Sequence, residues 1–170
     1  YELIPAFEKL VDQGYNVHLL IIGPIDLDSQ GEALLSLDEV TQKRPRIHYL
    51  GYQKKPEHYL SITDIFCLPS YREGFGTTVI EAAAMGVPAV GTKINGLVDA
   101  VVDNETGLLT ELKDIDALVE AFKKMLDEPQ LMVKMGQNAR ARCVRDFDQR
   151  MINAMVKKEY TDILNTQKRM

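Results

Sequence analysis

Short, unbroken apolar runs recur along the chain, and they constrain its fold more than any other feature. The first of them covers residues 17–22, and similar runs follow at residues 47–50, 64–68, 88–91 and 107–110. Continuous apolar runs of this length indicate strands that are buried on both faces, as in parallel sheets. Helical patterns separate most of the runs. Strand and helix therefore alternate, which predicts an α/β domain with a mostly parallel sheet flanked by helices.

The helical patterns take over the last third of the chain. The segments that carry them are residues 2–13, 56–63, 77–85, 115–126, 130–144 and 148–165. Gly14 ends the first helix, and Asp114 is a residue type that commonly caps a helix. Pro129 stands at a joint between helices, where a first-turn proline is well tolerated. We expect an all-helical carboxyl-terminal tail and no strand after Thr110.

The net charge of −5 is unevenly distributed. Residues 1–133 carry a charge of −10, whereas residues 134–170 contain nine Lys or Arg against four Asp or Glu and carry +5. An acidic body without a basic stripe argues against a nucleic-acid partner, because such partners require many phosphate contacts. The basic tail leaves two interpretations open. It is either a solvated helical face or a surface that meets anionic lipid or phosphate.

The length of 170 residues suits one hydrophobic core, and the sequence lacks targeting signals. No run approaches the roughly 18 apolar residues of a membrane span, and the first residues do not resemble a secretory leader. Cys67 and Cys143 have neither metal-ligand nor disulfide spacing, and His18, His48 and His58 do not suggest a metal site. We expect a chain in the reducing cytoplasm.

A glycine-punctuated loop between the predicted third strand and the next helix is the strongest functional signal. It covers residues 69–76, and the helix begins near Thr77. The unpaired amides of a helix N-terminus, together with the helix dipole, favour a phosphate or another anion. Gly74 and Gly76 let the backbone approach a ligand closely. The loop therefore predicts a diphosphate site, and the loops that follow the other strands are expected to surround it.

Two glutamates flank this loop. Glu81 lies one turn into the helix, and its side chain points back toward the N-terminus, where a carboxylate can accept hydrogen bonds from both hydroxyls of a ribose. Glu73 lies on the other side and can meet a different part of the same ligand. The spacing alone is weak evidence, since Glu120 and Glu128 share it without a glycine loop. The structural alternative is an exposed loop acid and a helix-surface acid.

The residues of this region resemble one enzyme family. The motifs are Glu73-Gly74-Phe75-Gly76, residues 81–90 (EAAAMGVPAV), Gly96 and residues 103–109 (DNETGLL). Together they resemble the carboxyl-terminal donor-binding domain of the family 4 retaining glycosyltransferases. The resemblance continues through residues 19–24 (LLIIGP), 48–52 (HYLGY) and 64–70 (DIFCLPS), and so covers nearly the whole chain. It implies the GT-B architecture, in which two Rossmann-like domains face each other across a cleft.

The resemblance also implies a role for each site residue. Glu73 is the first glutamate of the family's E-x7-E motif and would contact the donor sugar as the catalytic residue, and Glu81 would bind the nucleotide ribose. The other positions assigned to the donor are Gly23, Leu50, Tyr52, Phe75, Gly76, Thr77 and Thr78. Of these, the backbone amides of residues 75–78 would hold sugar hydroxyls and phosphate, whereas residues 50–52 would flank the base.

The implied activity is retaining, hexosyltransferase-type transfer from a nucleotide-diphosphate sugar to a lipid-linked acceptor or a growing surface polysaccharide, such as capsule or lipopolysaccharide O-antigen. The implied cofactor list is empty, because no metal is required. Residues 1–150 would form the nucleotide-sugar-binding Rossmann-like domain, and residues 151–170 a crossover-type helix. The acceptor would bind through an amino-terminal domain that the sequence does not contain. We expect a cytoplasmic enzyme whose basic tail can approach the inner face of the membrane.

The chain departs from the family pattern in two places. Residues 95–99 read Asn-Gly-Leu-Val-Asp, where many members have Gly-Gly-x-Pro-Glu. The strand and the Gly-Arg…Lys segment that open the family's donor domain precede the first residue of this sequence. That strand is expected at the centre of the sheet, so its absence predicts unpaired strand edges unless another segment takes its place. We therefore expect little transfer activity from these residues alone.

Two other functions compete with this one. A metal-dependent GT-A transferase would use an Asp-x-Asp pair, and three such pairs occur, namely Asp26/Asp28, Asp114/Asp116 and Asp146/Asp148. Two of the three fall in the helical tail, so the motif discriminates poorly. A non-catalytic Rossmann-like module that binds nucleotide or regulates is the second alternative. The sequence does not identify the nucleobase, the sugar, the acceptor or the linkage.

Overall fold

In the computed structural model, which describes residues 2–24, 41 and 44–167, strands and helices alternate from residue 47 to Thr110. The strands are β1 (Leu19–Ile22), β2 (Ile47–Gly51), β3 (Phe66–Leu68), β4 (Ala89–Thr92) and β5 (Gly107–Thr110). The helices are α1 (Leu3–Asp12), α2 (Glu57–Leu60), α3 (Thr77–Ala84), α4 (Leu97–Ala100), α5 (Ile115–Asp127), α6 (Pro129–Asp146) and α7 (Gln149–Gln167). The α/β class and the helical tail are confirmed, and α4 is a short helix that the sequence analysis did not predict.

Every strand pair is parallel, as the continuous apolar runs predicted. Strands β1 and β2 pair with Ile21 opposite Tyr49. In the other ladder, Val90 of β4 lies between Cys67 of β3 and Leu108 of β5. Within the described residues the strands form two ladders, β1–β2 and β3–β4–β5, rather than one sheet. In this part of the chain, β1, β2, β3 and β5 therefore each have one edge without a strand partner, and only β4 is paired on both edges.

Two apolar clusters hold the elements together. The larger one joins α1 to β4, β5, α5 and α6, and its most deeply buried members are Ala6, Val90, Leu118, Met125 and Met135. The smaller one lies beneath the loop that leaves β3 and consists of Val79, Ala89, Leu97, Ala100 and Val101. Because α4 contributes Leu97 and Ala100 to the second cluster, this short helix belongs to the support of the glycine loop.

The backbone of helix α6 lies directly against the backbone at the carboxyl end of α3. A Cβ atom added at Gly136 would lie 2.1 Å from the carbonyl oxygen of Gly86, so only a glycine fits in α6 at this position. About two turns further along α6, the Cys143 thiol lies 3.6 Å from the carbonyl oxygen of Ile80 in α3. The close packing fixes the last turns of α6 against the helix that follows the glycine loop.

The thiols and imidazoles occupy ordinary structural positions. Cys67 and Cys143 are both free, and burial raises the pKa of each thiol. His18 and His48, which lie on adjacent segments at β1 and β2, are joined by a 2.9 Å contact between Nδ1 and Nε2. This pairing was not evident from the sequence. The helices of the described segments include none that is long and apolar enough to cross a membrane.

Candidate functional site

The glycine loop ends at an uncapped helix N-terminus. Gly76 is the N-cap of α3 and has a φ angle of +68°, a left-handed conformation that favours glycine. Its carbonyl accepts the Val79 amide at 2.9 Å, and no side chain caps the first turn of this described helix. The amides of Thr77 and Thr78 precede the first intrahelical bonds, and both residues are exposed. This turn presents free N–H groups and the positive end of a helix dipole to solvent.

Two hydrogen bonds in series connect Glu73 to the ends of two strands. Its Oε1 accepts a hydrogen bond from Ser70 Oγ at 2.8 Å, and the carboxylate is half-buried. Ser70 is in turn fixed because its carbonyl accepts a hydrogen bond from the Thr92 hydroxyl at the end of β4. The sequence predicts a role for Glu73 but none for Ser70 or Thr92. Their only sequence signal is that each stands at a predicted strand end.

Glu81 lies on the solvent side of α3, one turn after Thr77. Residues four apart share a helix face, so Thr77 and Glu81 lie one above the other, while Val79 and Ala82 point into the protein. Helical side chains lean toward the N-terminus, which directs the Glu81 carboxylate toward the free amides. Glu73 and Glu81 therefore flank the same helix end from its two sides, one from the loop and one from the helix.

The turn that opens α4 packs against the backbone of the glycine loop. Gly96 is buried and has a φ angle of +89°, and a Cβ added there would lie 2.6 Å from the Glu73 carbonyl oxygen and 2.9 Å from that of Gly74. Leu97 follows and is fully buried, with its side chain against Gly76. The departure from the family pattern at residues 95–99 therefore keeps the glycine at the point of closest approach.

The remaining predicted donor residues lie together at the ends of β1 and β2. The Gly23 amide donates to the Gly51 carbonyl at 3.0 Å, and the Gly23 carbonyl accepts a hydrogen bond from the Tyr49 hydroxyl at 3.0 Å. The Leu50 carbonyl accepts from the side chain of Gln53 at 2.6 Å. Tyr52 is 71% exposed, so its ring is available to a ligand.

The structure thus gathers the predicted site residues into two groups. Both groups lie at the carboxyl ends of parallel strands, but no hydrogen bond among the described residues connects them. One group comprises Glu73, Phe75, Gly76, Thr77, Thr78 and Glu81, and the other comprises Gly23, Leu50 and Tyr52.

The Asp-x-Asp pairs that a GT-A enzyme would need have other partners where they are described. Asp114 caps α5 by accepting the Ala117 amide at 2.8 Å. The Arg150 side chain and amide hydrogen-bond to Asp148 and lower its pKa to about 2. Asp26 and Asp28 lie outside the described residues. Across residues 2–24, 41 and 44–167, no three His, Cys, Asp or Glu side chains cluster as metal ligands would.

Two residues near the loop escaped the sequence analysis altogether. Phe147, just after α6, packs edge to face on Phe75, with 5.4 Å between ring centroids. The guanidinium of Arg142 lies over the Phe147 ring and donates to the carbonyls of Asp99 and Ala100 at 2.6 Å each. About 70 positions separate these residues from the loop, so no local motif connects them.

Comparisons with known proteins identify the family of the chain. The family model described as "Glycosyl transferases group 1" matches residues 1–142. The capsular polysaccharide biosynthesis glycosyltransferase CapM of Staphylococcus aureus is 32% identical over 169 residues, which is 96% of this chain and 43% of CapM. The N-acetyl-alpha-D-glucosaminyl L-malate synthase of Bacillus anthracis is 28% identical, over 98% of this chain and 43% of its own. The chain therefore spans less than half the length of these relatives.

A solved structure shows the same fold. The crystal structure of Anabaena HepE in complex with UDP-glucose matches 95% of this chain and 44% of its own, with a TM-score of 0.82 and 22% identity. At this identity the likeness concerns the fold. It confirms the GT-B-type domain that the resemblance implied.

Proposed function

The chain belongs to the group 1 glycosyl transferases, and from that premise we propose that it is the donor-binding domain of a retaining hexosyltransferase. Its donor would be a nucleotide-diphosphate sugar, and the product a surface polysaccharide or a lipid-linked saccharide. The observation that carries the proposal is the uncapped N-terminus of α3, with Glu73 on one side and Glu81 on the other. This arrangement matches a ligand that has a diphosphate between two hydroxyl-rich sugars.

Each group of the donor then has a partner in the site. The diphosphate lies against the amides of residues 75–78, where the helix dipole and free N–H groups favour negative charge. The ribose hydroxyls donate to Glu81, and the transferred sugar meets Glu73. The base lies near Gly23, Leu50 and Tyr52. The exposed ring of Tyr52 supports this assignment, because base stacking requires an accessible aromatic face.

The chemistry is electrostatic in this proposal. As the glycosidic bond breaks, positive charge grows on the anomeric carbon and negative charge on the departing phosphate. The Glu73 carboxylate stabilises the first, and the amides at the start of α3 stabilise the second. The acceptor oxygen bonds to the anomeric carbon in place of the phosphate oxygen, and its proton passes to the leaving phosphate. No step in this sequence uses a metal ion.

The affinity of Glu81→Ala for sugar nucleotides tests the proposal. We expect titration of the full-length protein with UDP-, GDP- and ADP-sugars to identify one donor class that wild type binds. Loss of hydrogen bonds to a charged group costs about 1.5–3 kcal/mol, so Glu81→Ala should bind that donor about 10- to 100-fold more weakly.

Glu120→Ala is the matched control for this titration. Glu120 is an exposed helix glutamate of the other pair with the same spacing, and its side chain bonds only to the neighbouring Lys123 among the described contacts. Its removal should leave donor affinity unchanged. If Glu81→Ala binds as tightly as wild type, Glu81 has no ribose role. If wild type binds none of the three donors, the donor-domain proposal is wrong.

We extend the proposal to the acceptor side and propose that residues 151–170, of which α7 covers residues 151–167, form a crossover-type segment beside the donor domain of residues 1–150. Residues 149–166 are all exposed in the structure. Their large apolar side chains are Met151, Ile152, Met155, Val156, Tyr160, Ile163 and Leu164. An exposed apolar helix face of this size indicates a partner surface. An amino-terminal acceptor domain would cover it, with the basic side chains near the inner face of the membrane.

Deleting residues 151–170 from the full-length protein tests this extension. The deletion removes four basic and two acidic residues, so the expected loss is about 2 kcal/mol of attraction to an anionic membrane at about 1 kcal/mol per charge. We expect about 30-fold weaker binding to vesicles of anionic lipid, together with a lower thermal midpoint. Neutral vesicles are the control and should bind both proteins equally weakly. Unchanged stability and vesicle binding after the deletion would contradict the extension.

A further inference from the structure

We propose that Arg142, near the end of α6, and Phe147, directly after α6, are positioning residues for the glycine loop. This inference rests on the proposed function, because the proposed function assigns residues 73–78, the end of the glycine loop and the start of α3, to the sugar nucleotide. Neither residue belongs to the donor site described above. They act on it through Phe75 and through the turn at Gly96.

Phe147 holds the glycine loop in place by packing against Phe75. Phe75 stands between Gly74 and Gly76, so within residues 74–76 it provides the only side chain. Its ring is 37% exposed and meets the Phe147 ring edge to face at 64°, with a centroid distance of 5.4 Å. These values fall in the range that favours aromatic pairs, which contribute beyond their buried area. The amides on either side of Phe75 therefore follow the position of the Phe147 ring.

Arg142 holds the second support of the loop. Its two terminal nitrogens donate to the carbonyls of Asp99 and Ala100 at 2.6 Å each, which are the last residues of α4. These carbonyls have no partner inside so short a helix, and a cationic fork at a helix carboxyl end also complements the dipole. The other end of α4 begins at Gly96, which contacts the carbonyls of Glu73 and Gly74. Arg142 thereby sets where α4 presses on the loop.

The two residues form one unit. The Arg142 guanidinium lies 5.1 Å from the centroid of the Phe147 ring, and its side chain is only 17% exposed. A mostly buried cation of this kind has little freedom to move. The close contact between Gly136 and Gly86 fixes α6 against α3, so the unit has a rigid base. The position of α6 therefore constrains the position of the loop at two residues, Phe75 and Gly96.

The first arm of the test needs no donor. Hydrogen exchange of the full-length protein is measured on the peptide that carries the Val79 amide, whose acceptor is the carbonyl of Gly76. We expect about 10-fold faster exchange in Phe147→Ala, because a turn that loses its support opens more often. Val144→Ala is the control, since Val144 lies on the same end of α6 but is 63% exposed. Unchanged exchange in Phe147→Ala overturns the inference.

The second arm measures donor Kd, kcat and KM. We expect Phe147→Ala to weaken donor affinity about 10-fold, whereas Phe147→Tyr, which restores the ring, stays within about threefold of wild type. Arg142→Lys keeps the charge but lacks the planar fork, so it should also lose about 10-fold. The double variant Phe75→Ala/Phe147→Ala should bind no more weakly than Phe75→Ala, because both changes break the same contact.

The two arms separate the inference from the proposed function. Additive effects of the Phe75 and Phe147 substitutions, or a Phe147→Tyr variant as impaired as Phe147→Ala, contradict the positioning role. In that case Glu81→Ala still reports on donor binding. If wild type binds no sugar nucleotide but the Val79 amide exchanges faster in Phe147→Ala, the positioning role stands and the assignment of the loop to a donor is wrong.

Discussion

Replacing Glu73 by glutamine in the full-length enzyme should lower kcat for sugar transfer by about 10²–10³-fold, the range found when a group that stabilises transition-state charge is removed. Glutamine retains the shape of the side chain, and its amide oxygen can still accept the hydrogen bond from Ser70 that holds Glu73. What disappears is the negative charge beside the anomeric carbon. Because that charge matters more in the transition state than in the bound substrate, KM for the donor should change little.

The Glu73→Gln experiment has an internal comparison in Ser70→Ala. Ser70 positions the carboxylate but does not carry charge, so its removal should cost about 10-fold, close to the effect of one lost hydrogen bond. The anomeric configuration of the product should be recorded by NMR in the same assays, since the proposal requires retention. A Glu73→Gln enzyme with wild-type kcat would remove Glu73 from the chemistry, and an inverted product would exclude a retaining mechanism.

The elements of this fold were predictable because their causes are local. The run at residues 88–91 has no polar side chain, and β4, the strand that it begins, is buried along its whole length, as expected for a strand covered on both faces. The helices of the tail begin where a cap or a proline says they should, at Asp114 and Pro129, and both predictions agree with the structure. The division of the strands into two ladders was not predictable in this way, because strand order depends on contacts between distant segments.

The site was predictable only in part for the same reason. The loop and its two glutamates lie within residues 69–81, and glycines mark the turn. Ser70 and Thr92 orient Glu73 from two different strands, and Arg142 reaches α4 from another helix. A hydroxyl or a guanidinium at such a position has no pattern of its own, because its role appears only after folding. The short helix α4 was missed since four residues are too few to show a period.

Gly96 contributes both to folding and to the proposed function, because its backbone packs against the glycine loop. Gly96→Ala should therefore impair both. An alanine at a φ angle of +89° costs about 1–3 kcal/mol in strain. Its Cβ would also lie 2.6 Å from the Glu73 carbonyl oxygen, and overpacking of this kind costs about 1–3 kcal/mol more. We therefore expect the free energy of unfolding, measured by urea denaturation, to fall by about 3 kcal/mol or more.

Gly14→Ala separates the two causes. Gly14 has nearly the same φ angle, +90°, but an added Cβ there meets nothing within 4 Å, so its alanine variant carries the strain without the clash. It should lose about 1–3 kcal/mol of stability and keep its donor affinity. In Gly96→Ala the glycine loop must shift to make room for the added Cβ. A displacement near 1 Å at a binding group can weaken its action up to about 100-fold, so donor affinity should fall at least about 10-fold. Equal donor affinities in the two variants, measured where both are folded, would mean that α4 does not position the loop.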